Sequence, residues 1–181
     1  MARKTHKTAV VIIPPAELWQ PIQRIREKYD RQFRRWMPHI TMIYPFRPID
    51  EFEFLYKKFI EVCREVEPFY VTLSKFNYFQ HRGESYTIWL EPQPVDEIVN
   101  LQERLQSVVP DCDDVRKFKG GFTPHLSVGQ VRGREELKKL VVELQQMWVP
   151  LKFEVGSIFM IWRNDPPDDV FRVWRDVKFR C

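Results

Sequence analysis

The tetrapeptides Pro38-His39-Ile40-Thr41 and Pro124-His125-Leu126-Ser127 are two copies of one motif, 86 positions apart (125 minus 39) in a chain of 181 residues. Successive side chains of a β-strand point to opposite faces, so each histidine shares a face with the hydroxyl residue two positions later. Each copy therefore predicts a strand with an imidazole and a hydroxyl on one face and an aliphatic side chain on the other. The repetition predicts a fold with two equivalent halves.

Chance does not readily produce this repetition. The chain contains four histidines and eleven Ser or Thr residues, so about 0.24 His-x-Ser/Thr matches are expected at random. A proline also precedes both copies. The alternative interpretation is that each histidine is simply a strand residue hydrogen-bonded to the backbone, but the repetition favours a functional role for both.

The paired motifs carry the groups needed to open a phosphodiester without a metal. Histidine has an ordinary pKa of roughly 6.5, so at neutral pH one imidazole accepts a proton while its partner donates one. Hydroxyl groups donate hydrogen bonds to phosphate oxygens. We therefore predict His39 and His125 as catalytic residues and Thr41 and Ser127 as phosphate-binding residues. No group of Asp, Glu, Cys or His has metal-ligand spacing, so we predict no metal site and no cofactor.

Two basic and aromatic segments lead into the motif strands, at residues 31–36 and 116–122. Cations beside stackable rings suit a nucleic-acid backbone and its bases, although a solvated charged surface explains such runs equally well. Two aromatic residues follow the first motif, and we expect them to flank a bound base, with core packing as the alternative for Phe46. The predicted substrate-binding residues are Arg35, Tyr44, Phe46, Lys119 and Phe122.

Composition indicates a folded protein with a modest preference for anionic partners. Hydrophobic residues make up 44% and aromatic residues 14% of the chain, and the net charge is +4, which favours a polyanion without identifying one. The apolar run Ala9–Ile13 is too short for a signal sequence or a membrane span. The cysteines Cys63, Cys112 and Cys181 fit neither a disulfide framework nor a zinc site. We expect a monomer of the reducing cell interior, cytoplasmic or nuclear, without membrane association.

Hydrophobic periodicity predicts alternating strands and helices in both halves. Strands are predicted at residues 8–13, 39–44, 69–78, 86–90 and 124–130, after Pro150, and in a final hairpin near 153–162 and 170–179. Helices are predicted at residues 18–33, 51–66, 95–108 and 134–148. No low-complexity linker separates the halves, so residues 1–181 are predicted to form one bilobal domain by internal duplication, with motif repeats at 38–44 and 124–130.

At its two motifs the chain resembles the 2H phosphoesterase superfamily, defined by paired His-x-Thr/Ser motifs, and within it the 2'-5' RNA ligase-like and cyclic phosphodiesterase members. Stretches such as residues 87–92 and 122–125 also look like that family, and the resemblance covers nearly the whole chain. It implies an α+β, bilobal, pseudo-two-fold fold in which two antiparallel sheets line a central cleft with helices outside. It also implies metal-independent catalysis by the two histidines, with phosphate bound by the two hydroxyls.

We expect hydrolysis of a 2',3'-cyclic phosphate, with RNA ends or cyclic nucleotides as substrates. Members of the resembled superfamily differ in the bond they cleave, so cleavage of 2'-5' linkages or 2'-5' RNA ligation is an alternative within the enzyme class. A module that binds RNA ends without turnover, or a scaffold whose cleft docks a protein, is the alternative from another class. The intact histidine and hydroxyl pairs argue against pure binding, which needs no acid matched to a base.

Overall fold

The fold contains eight β-strands and four α-helices in a computed structural model that describes residues 3–180. The strands are Thr8–Ile12 (β1), Ile40–Ile43 (β2), Phe69–Gln80 (β3), Ser85–Gln93 (β4), Leu126–Arg132 (β5), Leu151–Val155 (β6), Ser157–Trp162 (β7) and Arg172–Lys178 (β8). The helices are Trp19–Tyr29 (α1), Phe52–Cys63 (α2), Val95–Val108 (α3) and Arg134–Met147 (α4). Within residues 3–180, no helix is long and apolar enough to cross a membrane. Met1, Ala2 and Cys181 lie outside the described residues, so the expectation for the Cys181 thiol lies outside them too.

The strands form two four-stranded antiparallel sheets with equivalent orders. The first sheet has the order β2-β1-β7-β8 and the second has the order β5-β4-β3-β6. The motif strands β2 and β5 therefore occupy the same edge position in the two sheets. This arrangement confirms the predicted α+β class with two antiparallel sheets. The single domain formed by duplication stays a prediction.

The two faces of the first sheet have different roles. In β1, Val10 and Ile12 belong to the main hydrophobic core, which also contains residues of the second sheet and of the helices. Ala9 and Val11 point to the opposite face. Directly paired residues of antiparallel strands share a face, and Thr41 pairs with Val11. The motif hydroxyl therefore lies on the face turned away from the main core, and it is partly exposed.

Helices α1 and α3 cross between the two sheets. Helix α1 follows β1 of the first sheet but packs against β5 of the second, and α3 follows β4 of the second sheet but contacts β2 of the first. The α1–β5 contact is close because Gly129 has no side chain: a Cβ there would lie 2.5 Å from the Cβ of Tyr29. Strands β2 and β5 also contact each other, so the crossed helices hold the two motif strands side by side.

Two element boundaries differ from the sequence-based prediction. Helix α1 ends at Tyr29 instead of continuing to Phe33, because the Asp30 carboxylate accepts a hydrogen bond of 2.9 Å from the backbone N–H two residues later and stabilises a turn. The strand predicted near 153–162 divides at Gly156 into β6 and β7, which belong to different sheets. Hydrophobic alternation runs through both strands, so periodicity alone does not reveal the division.

Candidate active site

The two motifs occupy matching positions where the sheets meet. His39 immediately precedes β2, and His125 immediately precedes β5. Both histidines are partly exposed, as are Thr41 and Ser127, whereas the aliphatic residue inside each motif is fully buried. The alternation expected from the sequence is therefore present in both copies, with the imidazole and the hydroxyl on the accessible side.

A backbone carbonyl holds each imidazole in the same way. The Nδ1 atom of His39 lies 2.7 Å from the carbonyl oxygen of Met37, and the Nδ1 atom of His125 lies 2.7 Å from that of Thr123. A carbonyl oxygen only accepts hydrogen bonds, so we assign the proton of each neutral ring to Nδ1. The lone pair is then on Nε2 of both rings, where it can accept a proton from a substrate.

The surroundings of His39 favour its neutral form. Burial is the main reason why the pKa of His39 falls from 6.5 to about 4, and the hydrogen bond to Met37 opposes this change. The positive charges of Arg26 and His125 contribute to the lower pKa, whereas the carboxylate of Asp30 raises it. His125 is among the charges that lower the pKa of His39, in agreement with the contact between β2 and β5.

Aromatic side chains from β3 and β4 surround the ring of His125. Phe79 packs edge-on against the imidazole with ring centroids 4.9 Å apart, and the Trp89 ring lies at 5.9 Å. Trp89 pairs with Ser127 in the second sheet, so it shares the face that carries the motif hydroxyl. Burial lowers the pKa of His125 below 6.5, and the hydrogen bond to Thr123 opposes this. Both motif histidines therefore favour the neutral state at pH 7.

A buried ion pair joins helix α1, strand β5 and the segment before the first motif. The Nε of Arg26 donates to the Asp30 carboxylate at 2.9 Å, and both side chains are almost completely buried. Arg26 also donates to the carbonyl of Trp36 at 2.9 Å, and Gln130 of β5 donates to Asp30 at 3.1 Å. A buried charge without its partner is costly, so this network fixes the relative positions of the elements that carry the two motifs.

A second buried carboxylate fixes the aromatic side chain that stacks on the first imidazole. The Trp36 ring lies parallel to that imidazole with centroids 4.5 Å apart, and it also packs on Phe171 at 3.8 Å. Asp169, which is 1% exposed, pairs with both Arg34 and Arg35. Hydrogen bonds from these arginines, that of Arg34 above all, lower the pKa of Asp169 to about 2. The segment carrying Asp169 and Phe171 therefore holds Trp36 in place.

The predicted substrate-binding residues have different positions. Tyr44 is partly exposed and contacts edge-on, at 5.3 Å, the Trp36 ring that stacks on the imidazole of His39. Arg35 is partly exposed, with its guanidinium held by an aspartate. Lys119 is exposed in the loop before the second motif, and Phe122 is partly buried against the main core. Their contact with a substrate stays a prediction.

The prediction for Phe46 is wrong. Its side chain is fully buried in the main core, where its ring packs against Phe52 at 5.6 Å and Phe59 at 6.0 Å. Strand β2 ends at Ile43, and the chain then turns inward, where the backbone of Phe46 pairs with Thr5. Phe46 therefore packs in the core, which was the alternative interpretation of this residue.

The cysteines of the described chain have no catalytic character. Cys63 and Cys112 are buried and not bonded to each other or to another cysteine. Burial raises the pKa of the Cys63 thiol to about 12 and that of Cys112 to about 11. The thiolate is the reactive form of cysteine, so neither residue competes with the histidines as a reactive group. Among residues 3–180 there is no group of three or more His, Cys, Asp or Glu side chains that could hold a metal ion.

The chain matches a known protein family over most of its length. A family model described as the 2'-5' RNA ligase superfamily matches residues 14–167, which include both motifs and all strands from β2 to β7. The chain belongs to the 2'-5' RNA ligase superfamily, a group of 2H phosphoesterases. The family resemblance stated from the motifs is therefore confirmed.

Curated relatives in this superfamily are bacterial proteins named as phosphoesterases whose activity is unproven. One from Geobacillus kaustophilus is 29% identical over 125 residues, which is 68% of this chain and 69% of the relative. Another, from Oceanobacillus iheyensis, is 21% identical over 160 residues, which is 88% of this chain and 91% of the relative. The relatives are thus matched over most of their own length.

Solved structures show the same fold at low sequence identity. TT0787 of Thermus thermophilus superposes with a TM-score of 0.65 at 18% identity, covering 96% of this chain and 98% of that chain. LigT of E. coli in its apo form superposes with a TM-score of 0.61 at 16% identity, covering 99% of this chain and all of the other. These likenesses confirm the fold of this 2H phosphoesterase.

Several residues around the histidines were not assigned from the sequence. The sequence could have indicated Trp36, since it lies three positions before His39 in a basic and aromatic segment. Phe79 and Trp89 reach His125 from β3 and β4, so finding them requires the register of the second sheet. Asp169 lies in a stretch that is typical of a turn, and only its burial reveals its role.

Proposed function

We propose that this superfamily member is a metal-independent phosphodiesterase that hydrolyses a 2',3'-cyclic phosphate at RNA or nucleotide ends. The observation that carries the proposal is the pair of Nε2 atoms left free by matching Nδ1 hydrogen bonds on His39 and His125. The positive charge of His125 is one of the causes that lower the pKa of His39, so protonation of one imidazole disfavours protonation of the other. A pair that shares one proton supplies one general base and one general acid.

The proposed reaction conserves protons within the imidazole pair. Water forms a bond to phosphorus as the bond between phosphorus and one ribose oxygen breaks. The Nε2 of the neutral imidazole takes a proton from the attacking water, and the Nε2 of the protonated imidazole gives one to the departing ribose oxygen. The two rings then exchange roles through solvent before the next turnover. A bound phosphate raises both histidine pKa values by its negative charge, which favours the singly protonated pair.

Thr41 and Ser127 complete the proposed site. Each hydroxyl lies on the accessible side of its strand, two residues after an imidazole. Hydroxyl donors at these positions would bind the non-bridging phosphate oxygens and stabilise the charge that develops on them during attack. Loss of either hydroxyl should therefore weaken both binding and rate, by less than the loss of a histidine.

Two findings on relatives support a nucleotide-end substrate. E. coli LigT, which shares the fold, has been crystallised with 3'-AMP and with phosphate. A nucleoside 3'-phosphate is one of the two products that form when a 2',3'-cyclic phosphate is opened. The curated relatives are named as phosphoesterases, which is the reaction class that a pair of free imidazoles serves.

The proposal is tested by the turnover of cyclic nucleotides and cyclic-ended oligonucleotides in EDTA. The wild type should convert them to phosphomonoesters, and His39→Ala and His125→Ala should each lose roughly 10² to 10⁴ in rate. His81→Ala serves as the matched control, because this exposed histidine lies between β3 and β4, outside both motifs. Equal rates for all variants, or activity that EDTA abolishes, would refute the proposal. Tight binding of cyclic ends without product after long incubation would favour a binding module instead.

A second candidate is cleavage or reversible ligation at 2'-5' linkages. The description of the matching family, the 2'-5' RNA ligase superfamily, specifically favours it. Both activities require the same acid and base, so they differ in the substrate and not in the histidines. Matched 2'-5' and 3'-5' oligoadenylates separate the two candidates. Strong preference for the 2'-5' linkage together with no hydrolysis of cyclic ends would replace the first proposal with the second.

A further inference from the structure

A group of cationic and aromatic side chains continues from His39 along the first sheet. The ring centroids of Tyr44 and Trp36 are 5.3 Å apart, and those of Trp36 and His39 are 4.5 Å apart. The Tyr44 ring therefore lies within about 10 Å of the imidazole, which is the sum of the two distances. Arg163 lies over the ring of Phe171, and the backbone N–H of Phe171 donates to the carbonyl of Arg35 at 2.8 Å, so both arginines lie beside the same aromatic group. Their positive charges act on the Tyr44 hydroxyl.

Arg163 is held in place but is incompletely paired. Its guanidinium lies 5.6 Å above the ring of Phe171, which fixes the side chain by a cation–π contact. Its Nη1 donates to the carbonyl of Asn164 at 3.0 Å, whereas its Nε is buried without a hydrogen-bond partner. A buried donor without a partner destabilises the protein. Arg163 as a whole is partly exposed, so the rest of its guanidinium is accessible to an acceptor that a ligand brings.

The charges around Tyr44 leave a positive surplus. Arg34 and Arg35 share a single carboxylate, that of Asp169. Among residues 3–180, no carboxylate lies within salt-bridge distance of Arg163, whereas the nearby Arg172 is neutralised by an aspartate of its own. Of Arg34, Arg35 and Arg163, two pair with the same carboxylate and the third pairs with none within residues 3–180, which leaves a surplus of positive charge. An anion bound beside Tyr44 would balance this excess.

We propose that Arg163, Arg35 and the Tyr44 hydroxyl bind a second phosphate of the substrate, the one attached to the 5' oxygen of the ribose whose cyclic phosphate lies between the histidines. The inference rests on the proposed function and extends it to substrates with two phosphates. Six single bonds join the two phosphorus atoms, a span of about 6 to 7 Å when bonds of roughly 1.5 Å are staggered. This span is within the upper limit of about 10 Å that the two ring distances set between His39 and Tyr44.

The geometry distinguishes this subsite from a general basic surface. A surface patch would attract any polyanion weakly and would not depend on one side chain. Charge-assisted hydrogen bonds from a positioned guanidinium give a preference of about tenfold to hundredfold. The subsite therefore selects a nucleotide that carries a 5' phosphate or that ends a nucleic-acid chain, over a nucleoside with a cyclic phosphate alone.

The test compares the binding of product-like ligands, which does not require turnover. Titration calorimetry measures Kd for 3'-AMP, for adenosine 3',5'-bisphosphate and for the dinucleotide ApAp. The wild type should bind the bisphosphate at least tenfold more tightly than 3'-AMP, and Arg163→Ala should reduce that ratio to about one. Arg163→Lys keeps the charge but lacks the fork of donors and should retain part of the preference. Arg172→Ala is the matched control, an exposed arginine already paired with Asp168, and should leave the ratio unchanged.

Each outcome has a defined meaning. Equal affinities for 3'-AMP and the bisphosphate in the wild type, or a preference that survives in Arg163→Ala, would overturn the second-phosphate subsite. Tight binding of ApAp as well as the bisphosphate would support the subsite and identify a chain end, whereas tight binding of the bisphosphate alone would support it and identify a free 5' phosphate. A clear preference in a protein that does not hydrolyse cyclic phosphates would refute the proposed function while supporting the subsite.

Discussion

The lowered pKa of His39 predicts a specific loss of stability in acid. Burial holds this pKa at about 4 in the folded protein, against 6.5 as the ordinary value. Because the folded pKa is the lower one, the neutral ring stabilises the fold above pH 6.5, and this contribution is lost as the pH falls from 6.5 towards 4. At 1.36 kcal/mol per pKa unit, the loss at pH 4.5 is about 2 to 3 kcal/mol relative to pH 7.5.

The change that tests this value is His39→Gln, which keeps a polar side chain but removes the titrating ring. Urea unfolding of wild type and variant at pH 7.5 and pH 4.5 gives four free energies of unfolding. The free energy of unfolding of the wild type minus that of the variant should fall by about 2 to 3 kcal/mol from pH 7.5 to pH 4.5. Thr41→Val, which retains both motif histidines, should follow the wild type at both. If wild type and His39→Gln lose stability in parallel, the surroundings of the His39 ring do not lower its pKa and the reasoning fails.

Three further predictions concern the α1–β5 contact, the buried ion pair and the pH dependence of activity. Gly129→Ala should destabilise the protein by about 1–3 kcal/mol, because the new Cβ meets Tyr29 at 2.5 Å. Gly156→Ala is the control, since its new Cβ meets nothing within 4 Å and should have little effect. Equal thermal denaturation curves for the two variants would contradict this prediction. Arg26→Met should lower the free energy of unfolding in urea by about 3–5 kcal/mol, because it leaves a buried carboxylate without its cation. Combining it with Asp30→Asn should recover part of this loss. An Arg26→Met variant as stable as the wild type would show that the ion pair is dispensable. The profile of kcat/KM against pH should peak between about pH 4 and pH 6.5, because burial lowers the pKa values of both motif histidines. A maximum above pH 7.5 would contradict the description of the surroundings of these two histidines.

The sequence alone predicted which residues of each motif share a face, because side chains along a strand alternate between only two faces. The positions of His39 and Thr41 two residues apart, and their repetition 86 positions later, predicted which side chains share an accessible face. The same local rule predicted the alternation of strands and helices. Side chains whose roles depend on elements distant in sequence were not predictable in this way.

Three residues illustrate that limit. Phe46 follows the first motif closely, and only the inward turn of the chain after β2 shows that it belongs to the core. Asp169 lies in a turn-rich stretch, and its role depends on two arginines more than 130 positions away. Trp89 pairs with Ser127 through the register of β4 and β5, which includes an irregularity next to Trp89. Contacts between residues that are distant in sequence depend on tertiary packing, so the composition of a single segment does not predict them.

The central claim is that His39 and His125 act as one catalytic unit on a phosphodiester, and a double-mutant cycle tests it most directly. The measurement is kcat/KM for 2',3'-cyclic AMP in EDTA with wild type, His39→Ala, His125→Ala and the double variant. The account predicts that each single variant loses roughly 10² to 10⁴ and that the double variant is little worse than either, because an acid without its base contributes little. Losses that multiply in the double variant, or a single variant with wild-type activity, would contradict it.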